Sequence, residues 1–117
     1  MIRKANQRKI TQNTNMRGGT GTVTILAALE TDKGELHQKG RLFSTVTVPP
    51  GASIGLHTHE GEMEAYLIVS GQGIYDDNGT EATVNPGDVT YTAPGQSHSI
   101  TNTGDGDLVL VALILFE

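Results

Sequence analysis

Apolar and β-branched residues occur along this chain in short runs: Val23 to Leu29, Leu42 to Val48, Ala65 to Val69, Thr83 to Val84, Val89 to Thr92 and Leu108 to Phe116. Their length and their Val, Ile and Thr content suit strands. Between them stand turn signals: Pro49-Pro50-Gly51, Asp77-Asn78-Gly79, Asn85-Pro86-Gly87-Asp88 and Pro94-Gly95. Asn-Gly between two such runs marks a tight hairpin, and regular spacing of this kind predicts an all-β sandwich or barrel. Residues 1 to about 17 have no period and are rich in Asn, Gln, Lys and Arg. They read as a loose arm or an edge segment, with an N-terminal arm over residues 1–19 and a single ordered domain over 20–117.

Leu108 to Phe116 is nearly unbroken in its apolarity but too short to cross a bilayer as a helix. A strand covered on both faces is expected there. One cover is a partner subunit, which predicts a homodimer; burial between the two sheets of one barrel explains the same run.

The 117 residues suffice for one domain with one sizeable core. Fifteen glycines and four prolines reinforce the all-β reading. All eight Lys and Arg residues lie at or before Arg41, whereas ten of the thirteen acidic residues come after it. An acidic barrel repels a phosphate backbone, and the basic stretch Ile2 to Lys9 has no aromatic residue to stack on bases, so no nucleic-acid partner is expected. That stretch reads as a frayed, solvated terminus. No segment is apolar for long enough to span a membrane, and a cytoplasmic location is expected. The absence of cysteine rules out disulfides and thiolate chemistry and fits a reducing compartment.

Candidate chemistry gathers around the histidines. His57 and His59 are two apart, and on a strand both imidazoles point to one side, where they can converge on an ion. Glu60-Gly61-Glu62-Met63-Glu64 then lets the chain turn and return, so that Glu64, Tyr66 and Ile68 share the inward face. His98 follows the Pro94-Gly95 turn. His37, in Gly34-Glu35-Leu36-His37-Gln38-Lys39-Gly40, reads as a solvated loop residue.

Two motifs in this chain closely resemble those of the cupin superfamily. Gly51, His57, His59, Glu64 and Gly71 carry the spacing of the first, and Gly87, Gly95, His98 and Asn102 that of the second. Ala93 stands where the second motif has proline, with Pro94 following it. The resemblance extends over roughly Leu42 to Phe116 and implies a double-stranded β-helix, the jelly-roll barrel. It further implies that His57, His59, Glu64 and His98 hold one divalent metal ion. Imidazoles with one carboxylate suit Mn, Fe, Co, Ni, Cu or Zn, and the resemblance favours Mn.

Among cupins the chain is similar to small bacterial single-domain proteins described as oxalate-decarboxylase-like. The function implied is metal-dependent decarboxylation or oxidation of a small carboxylate. Alternatives are a cupin isomerase or dioxygenase acting on a sugar or enediol, and a small-molecule-binding cupin without turnover. Glu62 and Tyr66 are the candidate catalytic residues beside the metal, with Glu60, Gln72 and Thr92 as further polar neighbours. Two-domain oxalate decarboxylases usually carry arginine three residues before the first motif histidine. Here that position is Ile54. Arg41 is the one basic group left in the barrel region, and it reads as a surface salt bridge or a substitute anion clamp.

Overall fold

The computed structural model describes residues 1–117. Ten strands form two facing antiparallel sheets: β1 (Ile10–Thr14), β2 (Thr22–Leu29), β3 (Gly40–Val48), β4 (Ser53–Thr58), β5 (Glu62–Ser70), β6 (Gly73–Asp77), β7 (Thr80–Val84), β8 (Val89–Thr92), β9 (Ser97–Asn102) and β10 (Leu108–Phe116). The larger sheet runs β1-β2-β3-β10-β5-β8, and the smaller runs β4-β9-β6-β7. This is the double-stranded β-helix implied by the motifs. No helix is long and apolar enough to cross a membrane.

The two sheets close on one apolar core that includes Val46, Val48, Ile54, Ile68, Ile100, Leu108 and Leu110. Strict alternation along β10 builds one wall of it. Leu108, Leu110, Ala112 and Ile114 are buried, whereas Val109, Val111, Leu113 and Leu115 on the outer face are only half-buried. The expected cover on both faces is therefore complete on the inner face alone.

The turns follow their chemistry. Asn78 and Gly79, both at positive φ, form the two-residue link that pairs Asp77 with Thr80. Gly71 takes φ +85°, and a Cβ there would collide with the backbone of Asp107 and Leu108. Asn102 is buried and ties the closed end of the barrel. Its amide donates to the Val48 and Gly106 carbonyls at 2.8 Å each and accepts from the Gly104 amide at 2.8 Å.

The basic terminus is docked rather than frayed. Arg3 meets Glu35 with two hydrogen bonds of 2.9 Å, and Arg8 reaches the carbonyls of Leu26 and Ala27 and the Thr45 hydroxyl. β1 lies along β2 as an edge strand with every residue exposed. The physical reason is that charged guanidinium groups bond strongly to carboxylates and carbonyls without needing an apolar face.

Candidate metal centre

Two irregularities in strand pairing aim the site. Ile54 of β4 opposes Ile100, yet His57 opposes His98, so β4 holds one residue more than β9 between those pairs. This bulge at Gly55-Leu56 resets the alternation. It turns Leu56 out to solvent while His57 and the following His59 face the barrel interior that Ile54 also faces. A second shift, between Ile114 and Leu115, leaves Arg41 of β3 without a strand partner of its own and frees it to reach Glu62.

Glu64 at 5 % exposure, His59 at 2 % and His98 at 0 % are buried, with His57 half-buried beside them. The Nε2 atoms of His57 and His59 are 3.0 Å apart, those of His59 and His98 3.0 Å, and those of His98 and His57 3.1 Å. One Glu64 oxygen lies 3.0 Å from His59 Nε2 and 2.9 Å from His98 Nε2. All four ligand atoms fall within 4.8 Å of one another.

The partners of the other ring nitrogens suit the tautomer with the proton on Nδ1. His57 Nδ1 is 2.7 Å from the Gly55 carbonyl, which can only accept, so this nitrogen carries the proton. His59 Nδ1 donates to a Glu62 oxygen at 2.7 Å. His98 Nδ1 lies 2.7 Å from the Tyr75 hydroxyl, which can accept its proton, and that hydroxyl is 2.8 Å from the Thr92 hydroxyl. In the neutral rings every Nε2 is then a bare lone pair. Three such lone pairs and an anionic oxygen in mutual contact repel unless a cation lies among them. A divalent ion about 2.1 Å from each donor would set neighbouring donors at right angles about 3.0 Å apart, which these contacts match.

The surroundings favour positive charge at this point. Burial pushes the Glu64 carboxyl up, but with protons rather than a metal ion at the Nε2 contacts, His59 and His98 outweigh it and hold its pKa at about 2. Contact with Glu64 raises His59 against the opposing effect of burial, and Glu62 adds to the rise. Burial lowers His57. Glu62 is held below the usual carboxylate range chiefly by the Arg41 guanidinium, at 2.8 Å to each oxygen.

Glu62, expected as a proton carrier, thus has both oxygens engaged, one of them in orienting His59. Tyr66 is buried with its ring stacked on His98 at a centroid distance of 5.1 Å. Burial, then the Glu64 anion, push its hydroxyl well above the ordinary range, so it stays protonated. Glu60 and His37 are exposed and apart from the cluster, and Gln72 bonds to Asn85 on the rim. Tyr75 escaped sequence reasoning. Its signal was the alternation of Gly73 and Tyr75 just before the Asp77-Asn78-Gly79 turn, which a hairpin must precede with a strand.

A cavity of about 150 Å³ opens beside the cluster. Its walls are mainly aliphatic, among them Ile25, Leu42, Val46 and Ile54, with polar groups from Arg17, Arg41 and Tyr66. An antiparallel barrel carrying a three-histidine, one-carboxylate cluster at one end of its interior defines a cupin with a potential metal site.

The comparisons with known proteins agree. The Cupin_2 family, described as Cupin domain, matches residues 44–114, and the chain belongs to the cupin family. It is 48 % identical over 101 residues to an oxalate-binding protein of Thermotoga maritima, covering 86 % of this chain and 82 % of that one. The structure resembles a predicted oxalate decarboxylase of Thermotoga maritima with a TM-score of 0.93 and 42 % identity over the full length of both chains. It also resembles a cupin sugar phosphate isomerase of Silicibacter pomeroyi, with a TM-score of 0.68 and 22 % identity over 81 % of this chain and 60 % of that one. That likeness extends to the fold alone.

Proposed function

We propose that this protein holds one divalent metal ion, manganese in the first instance, on the Nε2 atoms of His57, His59 and His98 and on Glu64, and binds a small carboxylate such as oxalate there. The observation that carries the reading is the convergence of four lone-pair donors while each Nδ1 is committed elsewhere. Support comes from the 48 % identity to a protein described as oxalate-binding. When bound, the ion supplies a Lewis acid that attracts carboxylate oxygens. The residues do the rest. Gly55, Glu62 and Tyr75 orient the three imidazoles, Tyr66 offers a hydroxyl proton at the cavity wall, and the aliphatic walls exclude water.

Decarboxylation or oxidation of the carboxylate is the second reading, favoured by the protonated Tyr66 hydroxyl on the cavity wall. Binding ranks above it because no carboxyl or imidazole on the cavity wall is uncommitted. Metal content by mass spectrometry, on protein purified without chelator beside His57→Ala, is the first test. Near-stoichiometric metal in the parent and its loss in the variant support the centre; a parent that takes up no Mn, Fe, Ni or Zn overturns it. Oxalate titration of the loaded parent with assay of formate and carbon dioxide then separates binding from turnover.

The proposal extends to a homodimer. Leu67, Val69, Val89 and Tyr91 are each about half exposed or more on the outer face of β5 and β8, where Leu67 pairs with Val89 and Ala65 with Tyr91. A second copy laid on this face would cover it together with the outer face of β10. Light scattering that finds only monomer would end this part.

A further inference from the structure

Four arginines occur in the chain, and three have their guanidinium groups engaged: Arg3 by Glu35, Arg8 by two carbonyls and Thr45, and Arg41 by both oxygens of Glu62. Arg17 has neither a hydrogen-bond nor an ion-pair partner, and it stands on the wall of the metal-site cavity with His57, Glu64 and Tyr66. The backbone that presents it is unusual. Arg17 has φ 55° and ψ 31°, and Asn15 also has a positive φ, conformations that residues with side chains seldom adopt.

The segment is fixed, not loose. Asn15 donates to the Gly21 carbonyl at 2.9 Å, Gly19 to Met16 at 2.9 Å, and Ser53 of β4 to Thr20 at 2.9 Å. Gly19 and Gly55 let the two backbones meet so closely that a Cβ on Gly55 would collide with the Arg17 carbonyl, and one on Gly19 with Ser53. Residues 15–19 therefore form a strap clasped onto the bulge of β4, and its exposed, unpaired Arg17 is among the residues that line the cavity.

Charge accounting gives that cation a purpose, and this step rests on the proposed metal and carboxylate reading. A divalent ion, the Glu64 anion and three neutral imidazoles sum to one positive charge. A monoanion neutralises it, whereas a dianion leaves one negative charge over. The Arg41–Glu62 pair is already neutral within itself. We propose that Arg17 is the anion-recognition residue of this cavity, pairing with the second negative charge of a small dicarboxylate bound at the four-donor cluster. The planar fork of its guanidinium matches a carboxylate edge.

The test is calorimetric titration of manganese-loaded protein with oxalate and with formate, for the parent, Arg17→Gln and Arg17→Lys, with metal content measured on each sample. Arg17→Gln is expected to weaken oxalate binding by about 10- to 100-fold. Formate affinity should change less than about threefold, and Arg17→Lys should recover part of the oxalate loss. Metal content should stay at the parent level in both variants. Oxalate binding by Arg17→Gln equal to that of the parent would overturn the proposal. So would a parallel loss of oxalate, formate and metal, which would mark Arg17 as structural. If the loaded parent itself binds neither oxalate nor formate, the carboxylate reading fails first, and this inference with it.

Discussion

The interior of the barrel has two ends with opposite chemistry, and the same strands run through both. The inward positions of β5 read Glu64, Tyr66, Ile68, and those of β9 read His98, Ile100, Asn102. Toward one end, Ile68, Ile100, Leu108 and Leu110 are almost fully buried, each contributing about 1.5–3 kcal/mol relative to exposure. Toward the other, Glu64, His59 and His98 are just as inaccessible, although removing a single charge from water costs several kcal/mol before any partner offsets it. Strand alternation decides which side chains face inward; position along the strand decides which chemistry they bring. The apolar end stabilises a frame whose other end holds repelling donors in place.

Substitutions at the two ends should therefore separate. Leu110→Ala should lower the unfolding free energy by about 3–5 kcal/mol in denaturant titrations, while the protein that remains folded keeps its metal stoichiometry. Metal loss from that folded fraction would show that the ends are not independent. His59→Ala should do the reverse. Its metal-free melting temperature stays within a few degrees of the parent's, but the stabilisation by added manganese disappears, about 2.7 kcal/mol at a hundredfold excess over Kd.

A smaller effect is expected from Tyr75→Phe, which removes the acceptor for His98 Nδ1 without touching a ligand. Chelator competition should give a 10- to 100-fold weaker metal affinity, and an unchanged affinity would leave the Tyr75 contact with no orienting role. The smallest effect lies outside both ends, at the docked terminus. Hydrogen bonds from Arg3, and then from the Glu30 backbone, hold the Glu35 carboxyl at about 2 against an ordinary 4.5. A carboxyl with a depressed folded pKa contributes fully above about pH 4.5, and its contribution fades as the pH falls toward 2. Limited proteolysis should find residues 1–9 protected at pH 6 and progressively cleaved toward pH 3 with the barrel intact; equal protection at both values would refute the tether.

Most of the frame was legible because it is written in alternation and turn residues. Leu42 to Val48, Ala65 to Val69, Val89 to Thr92 and Leu108 to Phe116 all lie in strands, and His57, His59, Glu64 and His98 of the two motifs come together in one cluster. What escaped lacks an apolar signature. β1, where the sequence left a loose arm and an edge segment both open, is Ile-Thr-Gln-Asn-Thr with every residue exposed, held by backbone pairing that any sequence can make. β6 carries two apolar residues among Gly and Asp, which are poor strand formers, and so hid Tyr75. The orienting role of Glu62 depends on a bulge at Arg41, and a register shift leaves no mark in the order of residues.

The central place of β10 has a consequence for the order of events during synthesis. This strand joins β3 to β5 in the larger sheet, yet it is the last of the ten to leave a ribosome. Until it emerges, β3 and β5 lack the shared neighbour that brings the Arg41 of β3 into register with the Glu62 of β5. The nascent chain must hold most of its strands in waiting, with apolar edges open, and close the sheet in one late step. None of the four donors lies on β10, but the wall that fixes Glu64 is complete only after that step, so a tightly held ion would report a closed barrel.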